Sequence, residues 1–371
     1  MQFKSATFKE SQMESSFAEQ IVPGSYVRVQ AENLISVGGI SSGNIGIVGT
    51  AANADAANNV LGTTKILSSL ADARRFYALS DAASAGTLNL MRSLELLFRN
   101  GARTVFAHAL AAGATVANFT DAVDELIKDN VNILVVPELS TANAVSVLGV
   151  VETAETNGKD MIAVIGCDGA DADAVVAQVS ANKRFIMVTP GVRAFDVAAN
   201  ATVNLPGKYT AAAVAGLLAG LQPHNSPTNK VLAGVTELTQ RFSYGELVTL
   251  LQANICPLEM RQGVRVVRGL TTEGEAFAQI TTRRIVDYAK TGVRQASNPF
   301  IGRLNNERVR KALQGAIDGF LTTMVVDEML TEYSLEVTAT RADEIAGRAI
   351  VNVAMKPTFS IDYIRVTLAL S

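Results

Sequence analysis

Hydrophobic and polar positions change rhythm along the chain, and each rhythm names an element. Between residues 70 and 192, short continuous apolar runs alternate with longer mixed ones. The runs ARTVFAHAL (Ala102–Leu110), VNILVVPEL (Val131–Leu139), DMIAVIGC (Asp160–Cys167) and RFIMVTPGV (Arg184–Val192) show little alternation, and NIGIVGTA (Asn44–Ala51) joins them. Strands of that kind are covered on both faces. Helices are expected at Ser69–Tyr77, Thr87–Arg99, NFTDAVDELIKDN with Thr120 as its cap, Ala142–Thr156 and Asp171–Ala181. Such alternation of strand and helix predicts an α/β domain with a mixed sheet flanked by helices, from residue 26 to about 205.

The last third has a different rhythm. GVRVVRGL (Gly263–Leu270) alternates apolar and basic residues at period two, as a half-buried strand does. Ile280, Ile285, Val286, Ala289 and Val293 then mark one face of a helix. Asn305-Asn306-Glu307 opens a second helix with an Asn cap and a carboxylate in the first turn, and Val309, Leu313, Ile317, Phe320, Leu321 and Met324 form its stripe. Two alternating segments broken at Lys356-Pro357 close the chain, the first holding Ile350, Val351 and Val353. The second sets Phe359, Ile361, Tyr363 and Arg365 on one face and Ile364, Val366, Leu368 and Leu370 on the other. An end strand this apolar is an aggregation hazard unless something pairs with it. By contrast, the first 20 residues are polar, with Phe3, Phe8 and Phe17 scattered among Ser, Glu and Lys.

Composition narrows the classes. A net charge of −3 over 371 residues does not indicate bulk nucleic-acid binding. Two cysteines, Cys167 and Cys256, make no disulfide framework and are expected as buried thiols. The longest apolar run, Ala211–Leu221, is too short to span a membrane of about 20 residues' thickness. The glycines of Gly38–Gly49 lack dinucleotide-fingerprint spacing, and phosphate-loop and nucleophile-elbow motifs are missing. His108 and His224 have no metal-ligand spacing to any other ligand, so neither a metal nor a cofactor is expected. What remains for an enzyme or nucleotide-binding protein is Glu138 and Asp168 at the strand ends, where helix capping and turn formation are the competing reading.

Charge order stands out more. Arg261, Arg265, Arg268, Arg283, Arg284, Lys290, Arg294, Arg303, Arg308, Arg310 and Lys311 precede an acidic stretch, Asp318 to Glu344. Neighbouring blocks of opposite sign suit contacts between subunits, and they equally suit pairs closed within the chain. Nucleic acid is the weakest of the readings, since Gly263–Gln295 offers only Phe277 and Tyr288 for stacking.

Several segments in order carry a family resemblance. LPGKYTAAAVAGLLAGLQPHNSPTNKVLAGV (Leu205–Val235), with Pro227-Thr228-Asn229, is similar to a proline-led helix of contractile tail sheath proteins, found in phages, R-type bacteriocins and injection machines. FSYGELVTLLQANICPLEMRQGVRVVRGLTT, TTRRIVDYA and IDYIRVTLAL resemble the segments that follow it there. The resemblance implies a sheath core domain at residues 206–357 with a small sheet and two long helices, between linking arms at 1–25 and 358–371. The whole would then combine α/β and α+β parts.

It further implies a structural subunit, not an enzyme: a helical homopolymer around an inner tail tube that contracts to drive the tube through a target envelope. Its partners would be copies of itself, the tube, and the baseplate and terminator proteins, in a virion or injection-particle tail assembled in the bacterial cytoplasm. Neither nucleic acid nor direct membrane insertion belongs to that role. Linkage would run from Phe3, Phe8, Ile361, Tyr363, Ile364, Val366 and Leu368 to receiving strands at Val264 and Val266 and at Ile350, Val351 and Val353. Arg303, Arg308, Arg310 and Lys311 are the expected tube-facing charges.

Overall fold

The computed structural model describes residues 40–52, 59–77, 89–196 and 200–369. Its first part runs β1 (Ile45–Thr50), β2 (Thr64–Leu67), α1 (Leu70–Tyr77), α2 (Leu90–Arg99), β3 (Val105–Leu110), α3 (Val116–Leu126), β4 (Ile133–Val135), α4 (Thr141–Leu148), α5 (Val150–Thr156), β5 (Ile162–Gly166), α6 (Ala172–Val176) and β6 (Phe185–Thr189). There follow β7 (Val192–Asp196), β8 (Ala201–Leu205), α7 (Gly207–Gly220), β9 (Glu237–Leu238), α8 (Tyr244–Gln252), β10 (Cys256–Met260) and β11 (Val264–Val266). The last part is α9 (Ile280–Ser297), α10 (Glu307–Val326), β12 (Leu330–Thr338), α11 (Arg341–Ile345) and β13 (Ile350–Pro357).

Eight strands form the main sheet in the order β11-β10-β6-β5-β4-β1-β3-β2. Pairing is parallel from β10 to β3, and β11 and β2 close the edges antiparallel. Alternate residues feed two cores. Ile45, Ile47, Val105, Ala107, Ile133 and Val135 pack with α1, α2 and α7, while Val48, Phe106, Leu134 and Ile165 pack with α3 to α6. Burial on both faces is why these strands read as unbroken apolar runs. Helix α7 is apolar on every side, as a helix buried in a core must be. Its small residues let α2 approach closely: a Cβ at Gly216 would stand 2.5 Å from the Leu97 carbonyl oxygen.

The sheet runs across the division expected near residues 205 and 206. Strand β10 hydrogen-bonds to β6, β11 to β10, and α7 fills the core of the earlier strands. Local expectations shift in three places. Helix α3 begins at Val116 under a Thr115–Asn118 capping box, so Thr120 lies inside it and bonds back to the Val116 carbonyl. The helix expected over Ala142–Thr156 is two helices meeting at Gly149. The Asp171–Ala181 helix is only α6.

The remaining layer is α9, α10 and the β12–β13 hairpin. Ile285, Ala289, Ile317, Phe320, Leu321 and Met324 form its core, and Gly292 admits the Phe320 ring against the α9 backbone. Asn306 caps α10 by accepting from Val309 N. Strand β13 matches an expected strand, whereas its partner β12 is not among the expected elements. Residues 358–369 form no strand.

Candidate functional site

The hairpin lays one face on the helices. Tyr333, Leu335 and Val337 of β12 stand opposite Met355, Val353 and Val351 of β13, and all six are half-buried against the α9–α10 core. Glu332, Ser334, Glu336 and Thr338 face outward from β12, and Ile350, Asn352, Ala354 and Lys356 from β13. Each strand pairs only with the other, so among the described residues both outer edges of this two-stranded sheet lack a ladder partner. Open edges of this kind accept further strands.

From the end of β13 the chain runs out as an exposed arm. Ile361 is 81% exposed, Ile364 83%, Val366 72% and Leu368 87%. Its root is clamped. The Asp362 carboxylate, almost fully buried, accepts from Arg268 Nε at 2.7 Å and from Gln279 Nε2 at 3.0 Å. Gln279 Oε1 accepts in turn from Ser360 N at 3.2 Å, and the Arg268 guanidinium lies 5.3 Å from the Tyr363 ring centre. Upstream of the clamp, Thr358 N bonds to Met329 O.

Other expected site residues sort differently. Phe3 and Phe8 lie outside the described residues. Val264 and Val266 are buried on β11, and the second side of that strand is taken: Leu232 N donates to Val264 O and Asn229 N to Val266 O, both at 2.8 Å. The edge expected to receive a strand there is thus already occupied. Ile350, Val351 and Val353 sit on β13, whose outer edge has no ladder partner among the described residues. Of the four expected tube-facing charges, Arg310 pairs with Glu344 at 3.0 Å and Lys311 with Glu307 at 2.9 Å. Arg303 lies over the Phe300 ring, and Arg308 is exposed. Exposed Ile301 and Leu304 flank Arg303 in the turn between α9 and α10.

Much of the basic block closes within the chain. Arg184, wholly buried at the start of β6, bonds to Glu155 (2.7 Å), Asp160 (3.0 Å), the Met161 carbonyl (2.9 Å) and Asp287 of α9 (3.1 Å). Lys290 and Arg294 of α9 both reach Asp160 at 2.5 Å, and Arg283 reaches Asp287 at 2.5 Å. Arg184's hydrogen bond, aided by Lys290, holds the Glu155 carboxyl well below the usual range, although burial opposes it. Burial pushes Asp287 up against the pull of Arg283 and Arg184. Arg284, desolvated among the carbonyls of Leu221, Gln222 and Ser42, is brought down to about 10. This ionic seam fastens α9 to the N-terminal ends of the sheet strands. Sequence reasoning missed Glu155 on α5 and missed Asp160 and Arg184, whose signal was charge at the start of an apolar run.

Two adjoining family models match the chain. Residues 112–272 match the phage tail sheath protein central domain, and residues 272–371 the phage tail sheath C-terminal domain. Together they span well over half of it. The chain belongs to the phage tail sheath family. No curated protein sequence matches. Among solved structures, the helical sheath of the anti-feeding prophage in its contracted state superposes with a TM-score of 0.76 at 19% identity, covering 94% of this chain and 99% of that one. The contracted sheath complex of the extracellular contractile injection system PVC gives 0.72 at 17% identity, covering 94% and 98%. A sheath tail protein of Listeria innocua gives 0.69 at 13%, covering 87% and 93%. At such identities the likeness is one of fold, and it extends over nearly the whole chain.

This chain is therefore a tail sheath subunit, and its family and structural neighbours are structural proteins. The strand-end carboxylates Asp168 and Glu138 make hydrogen bonds within the chain. Both Asp168 oxygens accept from Gly207 N, at 2.9 and 2.7 Å, which caps α7. Glu138 accepts from Thr50 N and Thr50 Oγ1, each at 2.6 Å; burial pushes its carboxyl up while those bonds and Lys208 pull it down. His108 is buried with Nδ1 3.1 Å from Thr64 Oγ1, and burial lowers its basicity. Both cysteines are free and buried, their thiols pushed up to about 12.

Proposed function

We propose that this subunit polymerises helically around an inner tail tube through strand exchange between copies, and that contraction of the polymer drives the tube through a target envelope. One observation carries the reading: an exposed apolar arm of alternating residues follows a two-stranded sheet whose outer edges have no ladder partner among the described residues. Strand addition would satisfy both at once, using main-chain hydrogen bonds for linkage. Head-to-tail donation of this kind generates an open helix. Structures of the neighbours in helical-sheath and baseplate contexts support a homopolymer that meets a baseplate, in the tail of a phage or injection particle. Arg303, Arg308 and the exposed turn around Ile301 and Leu304 are the proposed tube-facing elements, since Arg310 and Lys311 have partners within the chain.

Negative-stain electron microscopy of the purified chain beside a variant truncated before Thr358 tests the linkage. Hollow tubes from the intact chain, lost on truncation, are expected. Uniform small particles in both samples would overturn the reading.

A further inference from the structure

Pro227-Thr228-Asn229 makes a turn, closed by Lys230 N on Pro227 O at 3.0 Å. Within it Asn229 takes a left-handed backbone, φ +62°, and its amide oxygen serves two guanidinium groups at once. Arg265 Nη1 donates to Asn229 Oδ1 at 2.8 Å, and Arg261 Nη2 does so at 3.1 Å. One neutral oxygen thus holds two like charges side by side. Lys230, next in the chain, is exposed and makes no ion pair among the described residues. Among those residues the one carboxylate paired with these three cations is Glu259, 3.1 Å from Arg261 Nε. Arg265 has none, and its Nε is buried without a partner. Val231 and Met260 add apolar surface beside the cations, 48% and 39% exposed. The same turn touches the root of the arm, Thr228 Oγ1 donating to the Asp362 carboxylate at 3.5 Å. Between them opens a cleft of about 520 Å³, with Asn229, Lys230 and Arg261 on one side and Ile361, Asp362 and Ile364 on the other.

We propose that the cluster of Lys230, Arg261 and Arg265 seats a carboxylate of a second copy of this chain, Glu336. The proposal rests on the strand-exchange reading above and adds to it a contact between the bodies of two subunits. A sheet that takes the arm from Ile364 onward lies beside Asp362, and Asp362 lines this cleft. Of the carboxylates on that hairpin, Glu332 is matched by Lys356 at 3.2 Å. Asp343 and Glu344 of the connecting helix pair with Arg348, Arg310 and Arg341. Glu336 is exposed and makes no ion pair among the described residues. Two like charges held together repel, and an anion set between them relieves the repulsion. Hydrogen bonds from guanidinium and ammonium groups to a carboxylate are of the stronger, charge-assisted kind. An exposed ion pair is worth little by itself, so the seat favours one orientation of the two bodies without forbidding others.

Carbodiimide coupling of tubes formed by the full chain tests the pairing, because it joins an ammonium to a carboxylate only where the two touch. Mass spectrometry of the digest is expected to show Lys230 joined to Glu336 in tubes and not in the unassembled chain. Lys230 joined in tubes to a different carboxylate, or to none, overturns the proposal. If those tubes still depend on residues 358–371, strand exchange stands and only the seat fails. Tubes that survive truncation overturn both. A charge exchange gives an independent reading, at positions exposed enough to leave the fold intact. Arg261→Glu should raise the concentration needed for polymerisation roughly two- to fivefold. Adding Glu336→Arg should restore it, and a double variant no better than the single one counts against the pair. Salt should raise that concentration in the natural chain more steeply than in Arg261→Glu, since exposed charges are screened; equal slopes count against the seat.

Discussion

The main sheet and the hairpin are both β-structure, but among the described residues helices cover both faces of the first and only one face of the second. In the eight-stranded sheet both faces are covered by helices, and the side of β11 away from β10 is bonded to Asn229–Leu232. In the hairpin one face is wet, neither outer edge has a ladder partner among the described residues, and the adjoining arm exposes Ile361, Ile364, Val366 and Leu368. The difference teaches where to look for assembly. A complete region reports damage through the stability of the single chain, whereas an incomplete one reports it through the polymer.

Four experiments would break or sharpen that contrast, ordered by effect on the isolated chain. Arg184→Met removes the hub of the seam and leaves Asp160 and Asp287 buried short of a partner. A loss of about 3–5 kcal/mol in denaturant unfolding is expected, and a loss below 1 kcal/mol would show the seam to be incidental. Asp362→Ala frees the arm root and should cost about 1–2 kcal/mol, with tubes becoming fewer or irregular. The third test is acid. Glu155 is depressed in the folded chain, so its stabilisation is complete above the ordinary value of 4.5 and is lost as pH falls below it. Melting temperature between pH 6 and 3 should therefore drop less steeply in Glu155→Gln than in the natural chain; parallel curves would refute the assignment. Ile364→Asp combined with Val366→Asp should change monomer stability by less than about 0.5 kcal/mol, as exposed substitutions do, yet abolish tubes. A marked loss of monomer stability would mean that the arm folds back on its own chain.

The same contrast explains what could be read from the sequence. Strands β3 to β6 were legible because burial on two faces leaves an unbroken apolar run. Strand β12 was missed, although Tyr333, Leu335 and Val337 alternate with Ser334, Glu336 and Thr338 as plainly as any strand. Its polar row is half of its residues, and it follows α10 with hardly a break. The segment after Pro357 has the same alternation, yet it runs out from the clamp at Asp362 and pairs with neither edge of the hairpin. The charge blocks were visible as blocks, while their partners were not. Arg184 meets Asp287 across 103 positions, a pairing that only the packing of α9 against the sheet creates.

The clamp at Asp362 turns the arm into a leash of fixed length. Residues 363–369 can reach no farther than about 25 Å from it, even when fully extended. If the strand that docks next door begins at Ile364, almost none of that reach is left as slack. Two linked bodies could pivot about Asp362 through a wide angle, yet could hardly be drawn apart. A lattice of such joints would change its pitch and diameter by turning at its knots while every thread keeps its length.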